Sequence, residues 1–368
     1  MTPRQRLLTL LDGRRPDCVP WYADLSHWFV VRRGERFVPT VSGERDLAMV
    51  ESHRDLGVGL YLNMGAFYDT VYDAGDVTET TTVEGDEFLW TIRTPVGTVR
   101  EVRRWSQVSF SWDITHRMIQ GLEDVETVAY AMRARRYVAR YERYHEWREH
   151  LGEIGEPFAA GGYCGLGFLI SRFMGVIETI YALHDHPSEM GALIDTINKT
   201  QLQLVDVLAG SPSAVVFWSD NLDAATQPPP LFNQHSAYFY REMARRAHDN
   251  GKVLAVHIDG RMHGLLQLLA DCGVDIADAV TPMPMGDLSP AQCREQAGNE
   301  MILWGGVSPD LWEPRSSDAE FDDAVKRWLD LRLTSDRLVL GPGDQVPPGA
   351  PLDRIQRAGE LAQTYGRY

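Results

Sequence analysis

His257 and Asp259 are the first residues whose types and spacing suggest chemistry. They close the run Val253-Leu254-Ala255-Val256-His257-Ile258-Asp259. Residues two apart on a strand point to the same side, so an imidazole and a carboxylate converge at its end. Such a pair can ligate a metal ion, or it satisfies itself by hydrogen bonds and does nothing more. A second carboxylate, Asp220, ends the run from Ala214 within Trp218-Ser219-Asp220-Asn221. Burial and neighbours can retune a carboxyl there into a general acid or base, with Asn221 beside it on the substrate; helix capping by either residue is the alternative. Gly161-Gly162-Tyr163-Cys164-Gly165 follows a third apolar run. Gly162 would let backbone approach a ligand and Tyr163 would donate a hydrogen bond, although a tight turn explains the glycines equally well. Cys164 has no activating neighbour in sequence and reads as a packed thiol. Trp21, Tyr22, His27 and Trp28 would line a cleft for a flat or apolar molecule, or pack in the core.

These residues need a scaffold that brings several strand ends together. Eight short apolar runs read as strands: Cys18 to Tyr22, Val58 to Met64, Pro157 to Tyr163, Ala214 to Asp220, Val253 to Asp259, Ile276 to Val280, Met301 to Val307 and Leu338 to Gly343. Several are almost continuously hydrophobic, as in a parallel sheet covered on both faces. In the second half they alternate with amphipathic helices at Ser236 to Asn250, Met262 to Asp271, Ser289 to Ala297 and Asp318 to Leu333, each of the first three closed by a nearby glycine. The expected architecture is one (β/α)8 TIM barrel over residues 1–368, with the candidate residues on its catalytic face. Two separate domains are the competing organisation. Between the second and third strands, Val77 to Thr115 is rich in Thr, Val, Trp and Phe, with turns at Glu84-Gly85-Asp86 and Pro95-Val96-Gly97. This predicts inserted antiparallel hairpins. A long helix over Leu122 to Leu151 is expected to follow.

A formal net charge of −16 opposes a broad nucleic-acid or anionic-membrane surface, because phosphate binding needs clustered cations. The one basic run, Arg133 to Arg148, alternates with Glu142 and Glu146 and reads as a solvated helix face. No stretch approaches the roughly 20 apolar residues of a membrane span. The four cysteines lie far apart, and the start has no apolar signal core, so a reduced cytoplasmic setting is expected.

Order and spacing of motifs carry a resemblance. Arg4-Gln5-Arg6, Leu11-Asp12-Gly13 and Pro16-Asp17-Cys18-Val19-Pro20, then Gly251-Lys252 leading to His257-Ile258-Asp259-Gly260 and Gly273-Val274-Asp275, then Trp304-Gly305-Gly306-Val307 and Gly341-Pro342-Gly343-Asp344, resemble the uroporphyrinogen decarboxylase and corrinoid/thiol methyltransferase superfamily. The resemblance implies a barrel enzyme on a small-molecule substrate. In the methyltransferase branch it implies a zinc site of one histidine and two cysteines; here those positions are His257, Asp259 and Asp344. Imidazole and carboxylates still accept zinc, though a thiolate-free site suits Mn or Fe equally. A corrinoid or folate methyl donor, a methyl-carrier protein and an oligomer are further expectations of the same kind. The decarboxylase branch places arginines after the first strand; this chain has none before Arg32, so a porphyrinogen with many carboxylates is not the expected substrate. Methyl transfer, a metal-free decarboxylation of a small aromatic or heterocyclic acid, and a non-catalytic ligand-binding barrel remain the three functional classes.

Overall fold

In the computed structural model, residues 1–36, 43–62, 67–73 and 75–368 are described. The strands are β1 (Leu60–Leu62), β2 (Tyr68–Tyr72), β3 (Thr78–Glu84), β4 (Glu87–Thr94), β5 (Gly97–Ser106), β6 (Ser111–His116), β7 (Arg135–Ala139), β8 (Gly155–Pro157), β9 (Ala159–Gly161), β10 (Val215–Leu222), β11 (Val253–Ile258), β12 (Ile276–Val280), β13 (Ile302–Val307) and β14 (Leu338–Pro342). A six-stranded sheet runs in the order β14-β13-β12-β11-β10-β9, and β1 pairs with β8. All of these pairings are parallel. β8 and β9 are halves of one strand, parted after Pro157, which has no N–H for a ladder. The second expected strand extends to Met64, and its last two residues lie outside the described residues.

The sheet does not close as one continuous ladder. Residues 21–24 fill the gap between β14 and β1 through single parallel bridges, Trp21 to Leu340, Tyr22 to Gly59 and Asp24 to Gln345. The architecture is a TIM-barrel-like α/β fold, and the eight expected strand regions supply its ring. Side-chain alternation divides the core. Tyr22, Phe158, Phe217, Ala255, Ile276, Trp304 and Val339 share the interior with Leu7 and Leu10. Their alternates, such as Trp218, Val256 and Leu303, face the surrounding helices.

Two register shifts sit beside the C-terminal strand ends. One lies between Trp218 and Leu222, where Asn221 has φ +47°, a conformation asparagine tolerates better than most residues. The other lies between Ala277 and Val280. It is accommodated by Gly305 at φ +146°, where a Cβ would collide with the Val280 backbone.

β3, β4, β5 and β6 form an antiparallel sheet in chain order, with turns where the Gly85 and Val96 signals put them. The sheet is anchored at two places on the catalytic face. Near the first strand, His27 Nε2 lies 3.2 Å from the Phe110 carbonyl, and Arg36 pairs with Asp86 at 2.6 Å. Near the third, Trp90 packs on Phe173 with centroids 6.3 Å apart, and Arg172 reaches Glu101 at 3.4 Å.

The expected helix over Leu122 to Leu151 is interrupted. Helices occupy Leu122–Ala134 and Glu142–Leu151, and β7 between them pairs antiparallel with β2. The cause is long-range: Arg135, 7% exposed, donates to the Tyr72 hydroxyl at 2.9 Å and reaches Glu79 at 3.4 Å. Arg136 pairs with Asp73, Arg140 and Arg143 with Asp69, and Arg148 with Glu156. The basic run is therefore engaged largely in ion pairs within the molecule instead of lying free along one helix face. Among the described residues no helix is long and apolar enough to cross a membrane.

Candidate active site

The inward alternation that puts Phe217 and Ala255 in the barrel interior also aims the last residues of β11 and β12 into its mouth. His257 and Asp278 are register partners on these adjacent strands. His257 Nδ1 lies 2.8 Å from Asp278 Oδ2, while the Tyr61 hydroxyl donates to Asp278 Oδ1 at 3.1 Å. Asp278 thus holds the imidazole with its Nε2 edge outward, where Asp344 Oδ1 stands 3.8 Å away. The floor beneath is aromatic: Tyr61 meets Trp304 at 4.7 Å, and Phe217 lies 6.3 Å from the imidazole.

Charge at this mouth is lopsided. Burial opposes protonation of His257, but the Asp278 hydrogen bond and the charges of Asp278, Asp344 and Asp259 outweigh it and raise its pKa to about 9. The Asp344 carboxyl is pushed up by burial, held back by His257, and pushed up again by Asp259, Asp24 and Asp278. Burial, with Asp278, Asp24 and Asp344, keeps the Tyr61 phenol protonated well past its ordinary range. Four carboxylates therefore act on one imidazolium and one phenol. At neutral pH these charges hold His257 as the imidazolium.

Tyr61 and Asp278 are the residues that sequence reasoning missed. For Asp278 a signal exists, since it is the one charge in Ile276-Ala277-Asp278-Ala279-Val280, a strand buried throughout. Tyr61 gives none, because β1 is too short to show a period.

Other expected site residues fall elsewhere. Asp220 has the parity of Trp218 and faces the helices, fully buried, accepting from Tyr240 at 2.5 Å and from the Cys164 amide at 3.2 Å. Burial raises its pKa to about 6, against the Cys164 and Tyr240 hydrogen bonds. Asp220 ties β10 to the helix Ala237–Asp249 and to the start of the segment after β9. Asp220→Asn is accordingly expected to lower stability by about 1–3 kcal/mol, with kcat changed less than about threefold because proton transfer at the mouth does not pass through it. Thermal melting and steady-state rates check this. Asn221 is exposed at the bulge. Trp21 stacks outward on Trp312 at 5.9 Å, Tyr22 lies in the interior against Trp304 at 5.2 Å, and the Trp28 indole donates to the Ala350 carbonyl at 2.9 Å. These three pack the fold, as their apolar bulk requires, and do not line an open cleft. His27 meets the inserted sheet. Gly162 borders open space, the nearest protein atom to a Cβ there being Phe168 Cζ at 3.7 Å. Tyr163 packs on Phe168 at 5.5 Å, and burial, then Asp220, pushes its phenol to about 12. Cys164 is buried and caps the following turn by accepting from the Gly167 amide at 3.2 Å.

The resemblance implies a metal on His257, Asp259 and Asp344. Two of these face each other with donor atoms 3.8 Å apart, and Asp278 at 2.8 Å fixes the orientation of the histidine ring. Asp259 does not complete them: among the described residues no three His, Cys, Asp or Glu side chains are grouped so as to hold a metal ion. As placed, His257 and Asp344 form an ion pair.

The sequence profile of "Uroporphyrinogen decarboxylase (URO-D)" matches residues 152–365, more than half of the chain. The chain belongs to the uroporphyrinogen decarboxylase family. The matched span holds β8 to β14 and with them His257, Asp278 and Asp344. No curated protein matches the sequence significantly. Among solved structures, a methyltransferase from Methanosarcina mazei is similar over 99% of both chains at 16% identity, with a TM-score of 0.66. At that identity the likeness concerns the fold alone, and it extends over the first half of this uroporphyrinogen decarboxylase family member as well.

Proposed function

We propose that this member of the uroporphyrinogen decarboxylase family is an enzyme that moves a methyl group from an uncharged or cationic small molecule, with His257 as general acid. The observation that carries the reading is the excess of carboxylate at the mouth: Asp278, Asp344 and Asp259 act on a single imidazolium, and Asp24 acts on Asp344 beside it. A substrate presenting its own carboxylate there meets repulsion at close range, which disfavours porphyrinogens and small acids. A neutral ether or a methylated amine does not. In the step envisaged, the bond from the methyl carbon to its heteroatom breaks and a bond from that carbon to the nucleophile of an acceptor forms. The proton on His257 Nε2 passes to the departing heteroatom, leaving neutral imidazole. The acceptor is a second substrate, with a corrinoid, a folate or a methyl-carrier protein as candidates. A methanogen methyltransferase shares this fold over the whole chain, so the architecture is one that can house this class of reaction.

The test follows 13C-labelled methyl groups by NMR in a panel of methyl ethers, methylamines and quaternary ammonium compounds, each mixed with purified protein and a thiol or corrinoid acceptor. Methyl transfer that survives exhaustive chelation is the expected result. Decarboxylation of uroporphyrinogen or of a small aromatic acid would replace this reading with a lyase. Loss of transfer on chelation, restored by one divalent metal, would make His257 and Asp344 metal ligands and remove the general acid.

A further inference from the structure

The inserted sheet brings to the catalytic face a charge opposite to that of the floor. Burial alternates along β4 and β5, so that Phe88, Trp90, Ile92, Val99, Glu101 and Trp105 form its inner side. Glu101 is fully buried and pairs with Arg103 at 2.6 Å and with Arg172 at 3.4 Å. Among the described residues it is the one carboxylate paired with either arginine. Both side chains retain some exposure, 12% for Arg103 and 25% for Arg172. Each also lies over an aromatic ring, Arg103 on Phe88 at 5.1 Å and Arg172 on Trp90 at 5.4 Å. Two fixed cations sharing one anion leave a net positive charge held in a definite orientation.

A short chain of contacts leads from this pair toward the mouth. Trp90 packs on Phe173, Phe173 stacks on Phe168 at 5.0 Å, and Phe168 meets Tyr163 at 5.5 Å. The Tyr163 phenol feels Arg103 and Glu101 from the sheet and Asp259 from the strand end, so both charge sets act across one space.

The geometry points to an anion subsite formed by Arg103 and Arg172 on the inner face of the inserted sheet, which takes the negatively charged end of a bipolar substrate whose methyl-bearing end rests at the acidic floor. Placement at the floor rests on the reading of the reaction given above; the subsite itself does not. The segregation of charge would select substrates by length and polarity as well as by methyl group. An anion is excluded beside His257 and accepted at the sheet, while a substrate lacking the anionic end loses two charge-assisted hydrogen-bond partners.

Inorganic phosphate at constant ionic strength is the probe, read by fluorescence of tryptophan, since Trp90 lies under Arg172. The expected result is a saturable change in the wild-type protein, weakened at least fivefold in Arg103→Gln and Arg172→Gln. Arg104→Gln, whose side chain is 64% exposed and pairs with Glu87, should titrate as wild type. Arg103→Lys keeps the charge beside Glu101 and should be intermediate; it serves if the glutamine variants do not fold by circular dichroism. A wild-type titration that never saturates, or Arg103 variants indistinguishable from wild type, would overturn the subsite. His257→Asn is titrated alongside. Normal phosphate binding by the wild-type protein without methyl transfer in any assay removes the reaction assigned to the floor and leaves the subsite standing. Transfer that depends on His257 without phosphate binding removes the subsite alone.

Discussion

Replacing His257 by asparagine is expected to lower turnover by about two to four orders of magnitude while the protein still folds. The amide nitrogen of asparagine falls near the position of Nδ1 and can donate to Asp278, so the contact at 2.8 Å has a substitute. What disappears is the proton at Nε2. The wild-type rate should be level through neutral pH and fall as pH rises through about 9, where His257 loses its proton. Stability carries the same signature. A folded-state pKa raised from 6.5 to about 9 contributes stability that is fully present below 6.5 and is lost as pH rises through 9. Between those limits the wild-type protein should lose melting temperature relative to His257→Asn. A melting difference independent of pH, or near-normal turnover in the variant, would count against a protonated His257.

Asp278→Asn separates the histidine from the group that charges it. Without the carboxylate the pKa of His257 should fall toward the ordinary value near 6.5, so the imidazolium fraction at pH 8 drops roughly thirtyfold. The rate at pH 8 should drop with it. At pH 6 most of the imidazole is protonated again, and much of the lost rate should return. Rescue by acid distinguishes control of protonation from simple damage to the site, which would depress the rate at every pH. A full pH–rate profile of the two proteins, with melting curves at pH 6 and 8, makes the comparison.

The sequence disclosed the ring of strands because burial on both faces leaves near-continuous apolar runs, as in Val215-Val216-Phe217-Trp218 of β10 and Val253-Leu254-Ala255-Val256 of β11. It pointed to His257 through motif order and through position at a strand end, and the structure places that side chain at the barrel mouth between Asp278 and Asp344. Asp220 was misjudged at a step that alternation decides: Trp218 packs on the helices, so the residue two places on must point there too. Trp21 and Tyr22 illustrate the same rule, one on each side of the wall. Asp278 was visible in principle as a lone charge in a buried strand. β7 was not, because the helical pattern around Arg135 is local, whereas its partners Tyr72 and Glu79 lie more than 50 residues away. Nor was the opposition of charge between floor and inserted sheet, which depends on how two distant anchors seat that sheet over the mouth.

The single bridges at residues 21–24 bear on how the polypeptide reaches this state during synthesis. Trp21 meets Leu340 and Asp24 meets Gln345, so the ring is sealed by pairings that span more than 300 residues. Contacts of such sequence separation form late, after their loop-closure entropy is overcome. On the ribosome, β9 to β13 can assemble in order as they emerge, whereas the seam must wait until β14 has left the exit tunnel. Until then the chain presents strand edges capable of pairing with another copy. Aggregation during expression is therefore expected to worsen most with substitutions along this seam, and slower translation of the last barrel unit would prolong the exposure.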